Sequence, residues 1–211
     1  MKVLHVIANP KPVAEAASKQ VSEAFFAELK TISPAMDVET VDLYKDPPPF
    51  YSYEAYRHFW LPVFVPDYKP TAGEKKASEY ALRHAKIFNS ADALALTTPM
   101  WNFSVPAILK AWMDQILAPN VVFSMGAGGV KALHKVRQAV VFAASGGTYT
   151  DEDRRNNFTN EIRAAFGFVQ IQNVDVAWAD GQNGFFFKDS AERKEKAIRA
   201  ARELARKVAR L

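Results

Sequence analysis

The 211-residue chain contains no cysteine. Disulfides, thiolate nucleophiles and cysteine-held metals or clusters are therefore excluded, and the composition fits a reducing compartment such as the cytoplasm. No apolar run approaches the length of a membrane span, so no membrane insertion is expected. The opening Met1-Lys2-Val3-Leu4-His5-Val6-Ile7 is apolar too briefly for a signal peptide and reads as a strand. Neither sign of charge dominates: 27 Lys and Arg stand against 23 Asp and Glu, a formal +4. The densest basic stretch, Arg193 to Arg210, is interleaved with Glu and Ala. That is the pattern of a solvated helix face, not of the concentrated stripe nucleic acid requires. Internal repeats, linkers and low-complexity segments are also missing, so residues 1–211 read as one domain.

Several familiar catalytic signatures are lacking. No G-x-G-x-x-G follows the first strand and no G-x-x-x-x-G-K-[ST] occurs, so neither a dinucleotide nor a P-loop fingerprint is present. There is no G-x-S-x-G nucleophile elbow. Gly126-Ala127-Gly128-Gly129 is too short for any of these and reads as a flexible loop. The four histidines, His5, His58, His84 and His134, lack ligand spacing, so no metal site is expected. His5 and His84 read as packing or surface residues, and His58 as a candidate substrate contact.

What is present is an ordinary globular composition, 49% hydrophobic and 24% charged. Lys2 to Ile7, Asp37 to Leu43, Ala91 to Thr97, Gln138 to Ala144 and Val174 to Ala179 read as five strands. Between them run helices over Glu15 to Ile32, Glu74 to Asn89, Ser104 to Leu117, Asp151 to Phe166 and Asp189 to Leu211. Asp151, Glu152 and Asp153 suit the start of the fourth helix, and Asp189 to Glu192 suit a capping box on the fifth. Ala118 to Val130 reads as irregular. Tyr44 to Thr71 breaks the rhythm with six prolines and nine aromatics. So many aromatics argue for a packed insert and against disorder. Alternating strands and helices predict a three-layer α/β/α sandwich around a parallel sheet, in strand order 2-1-3-4-5.

In such a sheet ligands bind beyond the carboxyl ends of the strands, at the switch in strand order. Three loops stand there. Asn9 to Ser18 leads into a helix whose unpaired N–H groups suit a phosphate, with Asn9 and Ser18 as added donors; a plain helix cap is the other reading. Pro99-Met100-Trp101-Asn102-Phe103 follows a buried strand. It offers either a flat apolar wall with backbone donors or a simple plug of the sheet end. Ala144-Ser145-Gly146-Gly147, with Tyr149 beyond, admits either close approach to a ligand or an ordinary turn.

At these loops the chain resembles the FMN-dependent NADH-azoreductase family, within the NAD(P)H:quinone oxidoreductase group of flavodoxin-like proteins. The resemblance is carried by Pro99-Met100-Trp101-Asn102-Phe103-Ser104-Val105-Pro106 and the helical segment to Asp114, then by Gly146-Gly147 with Tyr149, and more loosely by Ala8-Asn9-Pro10-Lys11-Pro12 to Ser18. It implies that Pro99, Met100, Trp101, Asn102 and Phe103 border a flavin ring, that Ala144, Ser145, Gly146, Gly147 and Tyr149 line its other side, and that Asn9 and Ser18 hold the phosphate end. Two positions depart from the family: Ala16 stands where a serine is frequent, and Ser145 where an arginine is frequent. The implied activity is electron transfer from NADH or NADPH to a quinone or azo compound through non-covalent FMN, by a ping-pong hydride route. The implied assembly is a homodimer, with Phe59, Trp60 and Phe123 as candidate walls of the substrate pocket. A flavodoxin-type electron carrier and a reductase of another acceptor, such as a nitroaromatic, are the alternatives.

Overall fold

A computed structural model of the chain describes residues 1–211. Its centre is a five-stranded parallel sheet in the order β2-β1-β3-β6-β7. The strands are β1 (Lys2–Ile7), β2 (Asp37–Asp42), β3 (Ala93–Pro99), β6 (Gln138–Ala144) and β7 (Val174–Ala179). The hairpin strands β4 (Phe123–Gly126) and β5 (Gly129–Ala132) form a separate antiparallel pair, so the parallel sheet has the expected 2-1-3-4-5 topology once they are set aside. β3 is buried along its whole length and β6 over all but its last residue. A strand buried on both faces needs apolar or small side chains throughout, which is what Ala-Leu-Ala-Leu-Thr-Thr-Pro and Gln-Ala-Val-Val-Phe-Ala-Ala supply.

Helices α1 (Ala17–Ile32) and α7 (Ser190–Val208) cover one face. Val21, Phe25 and Leu29 of α1 meet Val3, Ala95, Val140 and Phe142 of the sheet, and the Phe25 and Phe142 rings lie 4.9 Å apart. α7 presents Ala197, Ala201 and Ala205 at four-residue spacing, a strip small enough to seat the helix against the sheet. The other face is covered by α4 (Glu79–Ser90), α5 (Ala107–Ile116) and α6 (Asn157–Phe168), with Phe88, Trp112 and Phe166 in its core. There Trp112 Nε1 donates to His84 Nδ1 at 3.3 Å. Indole only donates, so His84 carries its proton on Nε2 and donates it to Asp46 Oδ2, 3.0 Å away. Burial lowers the His84 pKa.

Several boundaries differ from the sequence expectation. The aromatic insert is partly helical: α2 (Tyr53–Phe64) starts at Ser52, whose side chain accepts from Ala55 N. The long helix expected from Glu74 is two helices, α3 (Ala72–Ala77) and α4, meeting at Ser78. α3 begins earlier because Thr71 and Glu74 form a capping box. Ala118 to Val122 is turns and bends as expected, but from Phe123 the chain forms the β4–β5 hairpin, which Gly126 to Gly129 closes. α6 starts at Asn157, not at the acidic triplet. Asn156 Oδ1 accepts from Thr159 N, whereas Asp153 is spent on Arg155. Asp189 precedes α7 without capping it, because its carboxylate pairs with Arg193 instead.

Candidate active site

β1, β3 and β6 end side by side, with Ile7 opposite Thr97 and Pro99 opposite Ala144. Beyond these ends lies a cavity of about 290 Å³. Asn9, Lys11, Glu15, Ala16 and Ala17 line it from the first loop, Pro99, Met100 and Trp101 from the second, and Ala144, Ser145 and Gly146 from the third. Gln182 and Asn183, from the turn after β7, complete it.

Backbone N–H groups dominate the chemistry of the first loop. The cap residue Ala16 offers no side-chain acceptor, and the amides of Ala17 and Ser18 donate to no protein atom. The free Ala17 amide at the positive end of a sixteen-residue helix makes a seat for an anion, and Lys11 adds a cation to the lining. Asn9 holds the turn, its Oδ1 accepting from Lys11 N at 3.0 Å and its Nδ2 donating to Ser18 Oγ at 3.0 Å. Ser18 is fully buried behind Asn9 and is not part of the cavity lining.

The second loop is a tight turn in which Trp101 and Ser104 exchange two backbone hydrogen bonds of 3.0 Å. The two residues inside it, Asn102 and Phe103, have φ of 47° and 69°. Non-glycine residues in this left-handed region cost roughly 1–2 kcal/mol each, and such strain gathers at functional sites. The turn leaves the amides of Asn102 and Phe103 without a protein acceptor. Trp101 and Phe103 are 41% and 44% exposed, so this apolar surface is offered outward and does not plug the sheet.

The third loop is fastened from within. Ser145 Oγ donates to Gly147 O at 2.8 Å and accepts from Trp178 Nε1 at 2.9 Å. Ser145 therefore braces the glycine turn at the position where the resembling family often has a cationic donor. The amides of Gly146 and Gly147 donate to no protein acceptor. Tyr149 stands edge-on to Phe103, with ring centres 6.1 Å apart, and stacks on Trp178 at 6.2 Å. The second and third loops are thereby joined by one aromatic contact.

The three proposed pocket walls are elsewhere. Phe59 is 2% exposed, because α2 turns it into the core. Phe123 is fully buried and packs edge-on against Phe168 at 5.3 Å. Trp60 is half-buried against the core, stacked between Tyr56 and Phe64 at 6.4 Å and 6.2 Å, and does not line the cavity. His58 is engaged with Glu74 O at 3.1 Å. Lys11, Glu15, Ala17, Gln182 and Asn183 were missed by the sequence reading. The turn-forming Asp180-Gly181-Gln182-Asn183-Gly184 after the last strand was the available signal for the last two.

The free amides of Ala17 and Gly146 in the lining, with those of Asn102, Phe103 and Gly147 on the bordering loops, fit a ligand that carries a phosphate at one end and a flat ring with hydrogen-bond acceptors at the other. FMN has that form. Ala17 and Lys11 would meet the phosphate, and Gly146, with Asn102, Phe103 and Gly147 on the bordering turns, the ring.

Comparison with known proteins agrees with this geometry. A family model described as a flavodoxin-like fold matches residues 1–206. An FMN-dependent NADH:quinone oxidoreductase of Coprothermobacter proteolyticus is 30% identical over 97% of this chain and 98% of its own. A protein of the same description from an Exiguobacterium species is 32% identical over 97% of each chain. Among solved structures, an FMN-dependent NADH-azoreductase from Bacillus anthracis in complex with FMN superposes with a TM-score of 0.83, at 26% identity over 99% of both chains. By fold, by the order of its strand-end loops and by sequence, the chain belongs to the flavodoxin-like family that includes the FMN-dependent NADH:quinone oxidoreductases.

Proposed function

We propose that this chain is an FMN-dependent oxidoreductase that passes electrons from NADH or NADPH to quinones or azo compounds. The observation that carries the reading is a cavity at the ends of β1, β3 and β6 with the free amides of Ala17 and Gly146 in its lining and those of Asn102, Phe103 and Gly147 on the loops that border it. The relatives' activities give it chemical content. Residues 1–211 act as one FMN-binding unit. Bound FMN supplies the hydride chemistry, which no side chain in the cavity could supply.

The chain's own part is binding and placement. The start of α1 and Lys11 neutralise the phosphate. The Asn102, Phe103, Gly146 and Gly147 amides are preorganised donors for negative charge that develops on the ring, and they need no reorganisation to act. Trp101 and Phe103 give donor and acceptor one apolar surface to occupy in turn. That fits a ping-pong order and explains why the chain needs no separate dinucleotide fingerprint.

The functional form is a cytoplasmic homodimer in this reading. Tyr53, Tyr56, Trp60 and Phe64 stack in a row along α2. A second copy covering that row would bring Trp60 to its partner's cavity, the one way left for it to serve as a substrate wall.

The test is a spectrum and a rate. Purified chain mixed with FMN should be yellow, with one flavin per chain, and should oxidise NADH rapidly when benzoquinone is added. A colourless chain that fails to retain added FMN refutes the assignment. FMN retention without quinone-dependent NADH oxidation refutes the enzyme reading alone.

A further inference from the structure

We propose that the start of α6, residues 156–161, is a clamp that sets the geometry of both loops bordering the flavin ring, with Glu161 and Asn156 as its positioning residues. The inference rests on the reading that the free amides of Asn102 and Phe103 face that ring.

α6 grips the second loop twice. Asn157 N donates to Phe103 O at 3.1 Å, and Ser104 Oγ donates to Glu161 Oε2 at 2.5 Å. The grips fall on Phe103 itself and on the next residue, beside the two left-handed positions. A turn in a sparsely populated conformation persists only where its surroundings over-determine it. Here those surroundings are the Trp101–Ser104 exchange and α6. The third grip is on the segment that follows the glycine pair. Asn156 is fully buried; its Nδ2 donates to Thr150 O at 3.0 Å, while its Oδ1 accepts from Thr159 N at 3.1 Å. One side chain thus caps the helix and tethers the glycine segment, and within five residues the same helix holds the other loop. The Phe103–Tyr149 contact closes the circuit across the cavity side. α6 therefore fixes the separation of the two sets of amides, although nothing of α6 lines the cavity.

The experiment compares Glu161→Ala, Ser104→Ala, the double variant and Glu161→Gln in the apo-protein. The probes are FMN, lumiflavin (the ring without the phosphate tail) and inorganic phosphate. Loss of a hydrogen bond to a charged group predicts about tenfold weaker binding of FMN and lumiflavin in Glu161→Ala and in Ser104→Ala. Inorganic phosphate binding should stay unchanged, because α1 holds that end. The double variant should be no worse than either single one, since both remove the same bond. Glu161→Gln keeps an oxygen for Ser104 and should restore lumiflavin binding to within about twofold of the parent. Amide hydrogen exchange at Trp101 and Ser104, whose N–H groups bond to each other's carbonyls, should quicken in Glu161→Ala without any ligand. Parental lumiflavin affinity in both single variants, additive losses in the double, or equal losses of lumiflavin and phosphate would overturn the clamp. Should Glu161→Ala fail to fold, Ser104→Ala, which removes one hydroxyl, decides the matter. A parent that binds phosphate but not lumiflavin refutes the ring assignment itself, an outcome distinct from failure of the clamp.

Discussion

Gly147 sits tightly against Tyr149. A Cβ there would lie 3.0 Å from Tyr149 Oη and 3.2 Å from its Cζ. Gly147→Ala must shift the Tyr149 ring tip by a few tenths of an ångström against Trp178 and Phe103, so FMN binding should weaken, by up to about tenfold, read by quenching of flavin fluorescence. Gly146→Ala is the contrast, since its Cβ would meet only Asn183 Cβ at 3.7 Å. That variant should keep the parental melting temperature. A second prediction concerns His5, whose Nε2 is 2.7 Å from Thr97 Oγ1. Burial drives its pKa down to about 3. Between about pH 6.5 and pH 3 the unfolded chain binds a proton at this site and the folded chain does not, so stability is lost as pH falls through that window. The slope is about 1.4 kcal/mol per pH unit for the one proton. His5→Gln should flatten the urea-midpoint-versus-pH curve by that amount, and an unchanged slope would show that His5 does not carry the effect.

At the scale of elements, α2 divides its aromatics by periodicity. Phe59 turns inward, Tyr53, Tyr56 and Phe64 turn outward, and Trp60, stacked between the last two, stands half-buried at the boundary. Two neighbouring residues should therefore fail in different ways. Phe59→Ala leaves a core cavity and should cost about 3–5 kcal/mol in urea unfolding. Trp60→Ala, which removes a half-buried ring, is expected to cost less, about 1–2 kcal/mol, while weakening self-association in sedimentation and raising KM for a bulky azo acceptor. Equal stability losses in the two variants would contradict the division. The loop positions follow the same logic of support from outside. The glycine turn is braced by Ser145 and Trp178, and the aromatic turn by α6.

At the scale of the whole molecule, the cavity is open where the sheet ends and its walls come from four separate loops. A ligand that bridges them should stabilise the fold by mass action, about 2.7 kcal/mol at a hundredfold excess over Kd. Removing FMN should then lower Tm by roughly 5–10 °C for a chain of this size. Calorimetry with and without FMN reads this directly, and an unshifted Tm would argue against a ligand spanning the loops. The fold itself was largely legible beforehand. β1, β6 and β7 lie where their apolar runs begin and end, and the strand order follows from alternating strands and helices. The helix starts were less so, because caps such as Asn156 and the Thr71–Glu74 pair depend on which neighbours a polar side chain finds after folding.

The amino-acid order alone determined the parallel sheet, the alternation of strands with helices and the three loops that gather beyond it, because those follow from hydrophobic period and from where strands stop. It did not place Phe59, Phe123 or Trp60. An aromatic residue is equally suited to a core, a pocket or an outer face, and only the packing of its helix or hairpin chooses. Nor could it single out the free amides, since whether a backbone N–H is spent within the chain or left for a ligand depends on a turn's dihedral angles. Those angles are held at Asn102 and Phe103 by contacts from α6, more than fifty residues further along the chain.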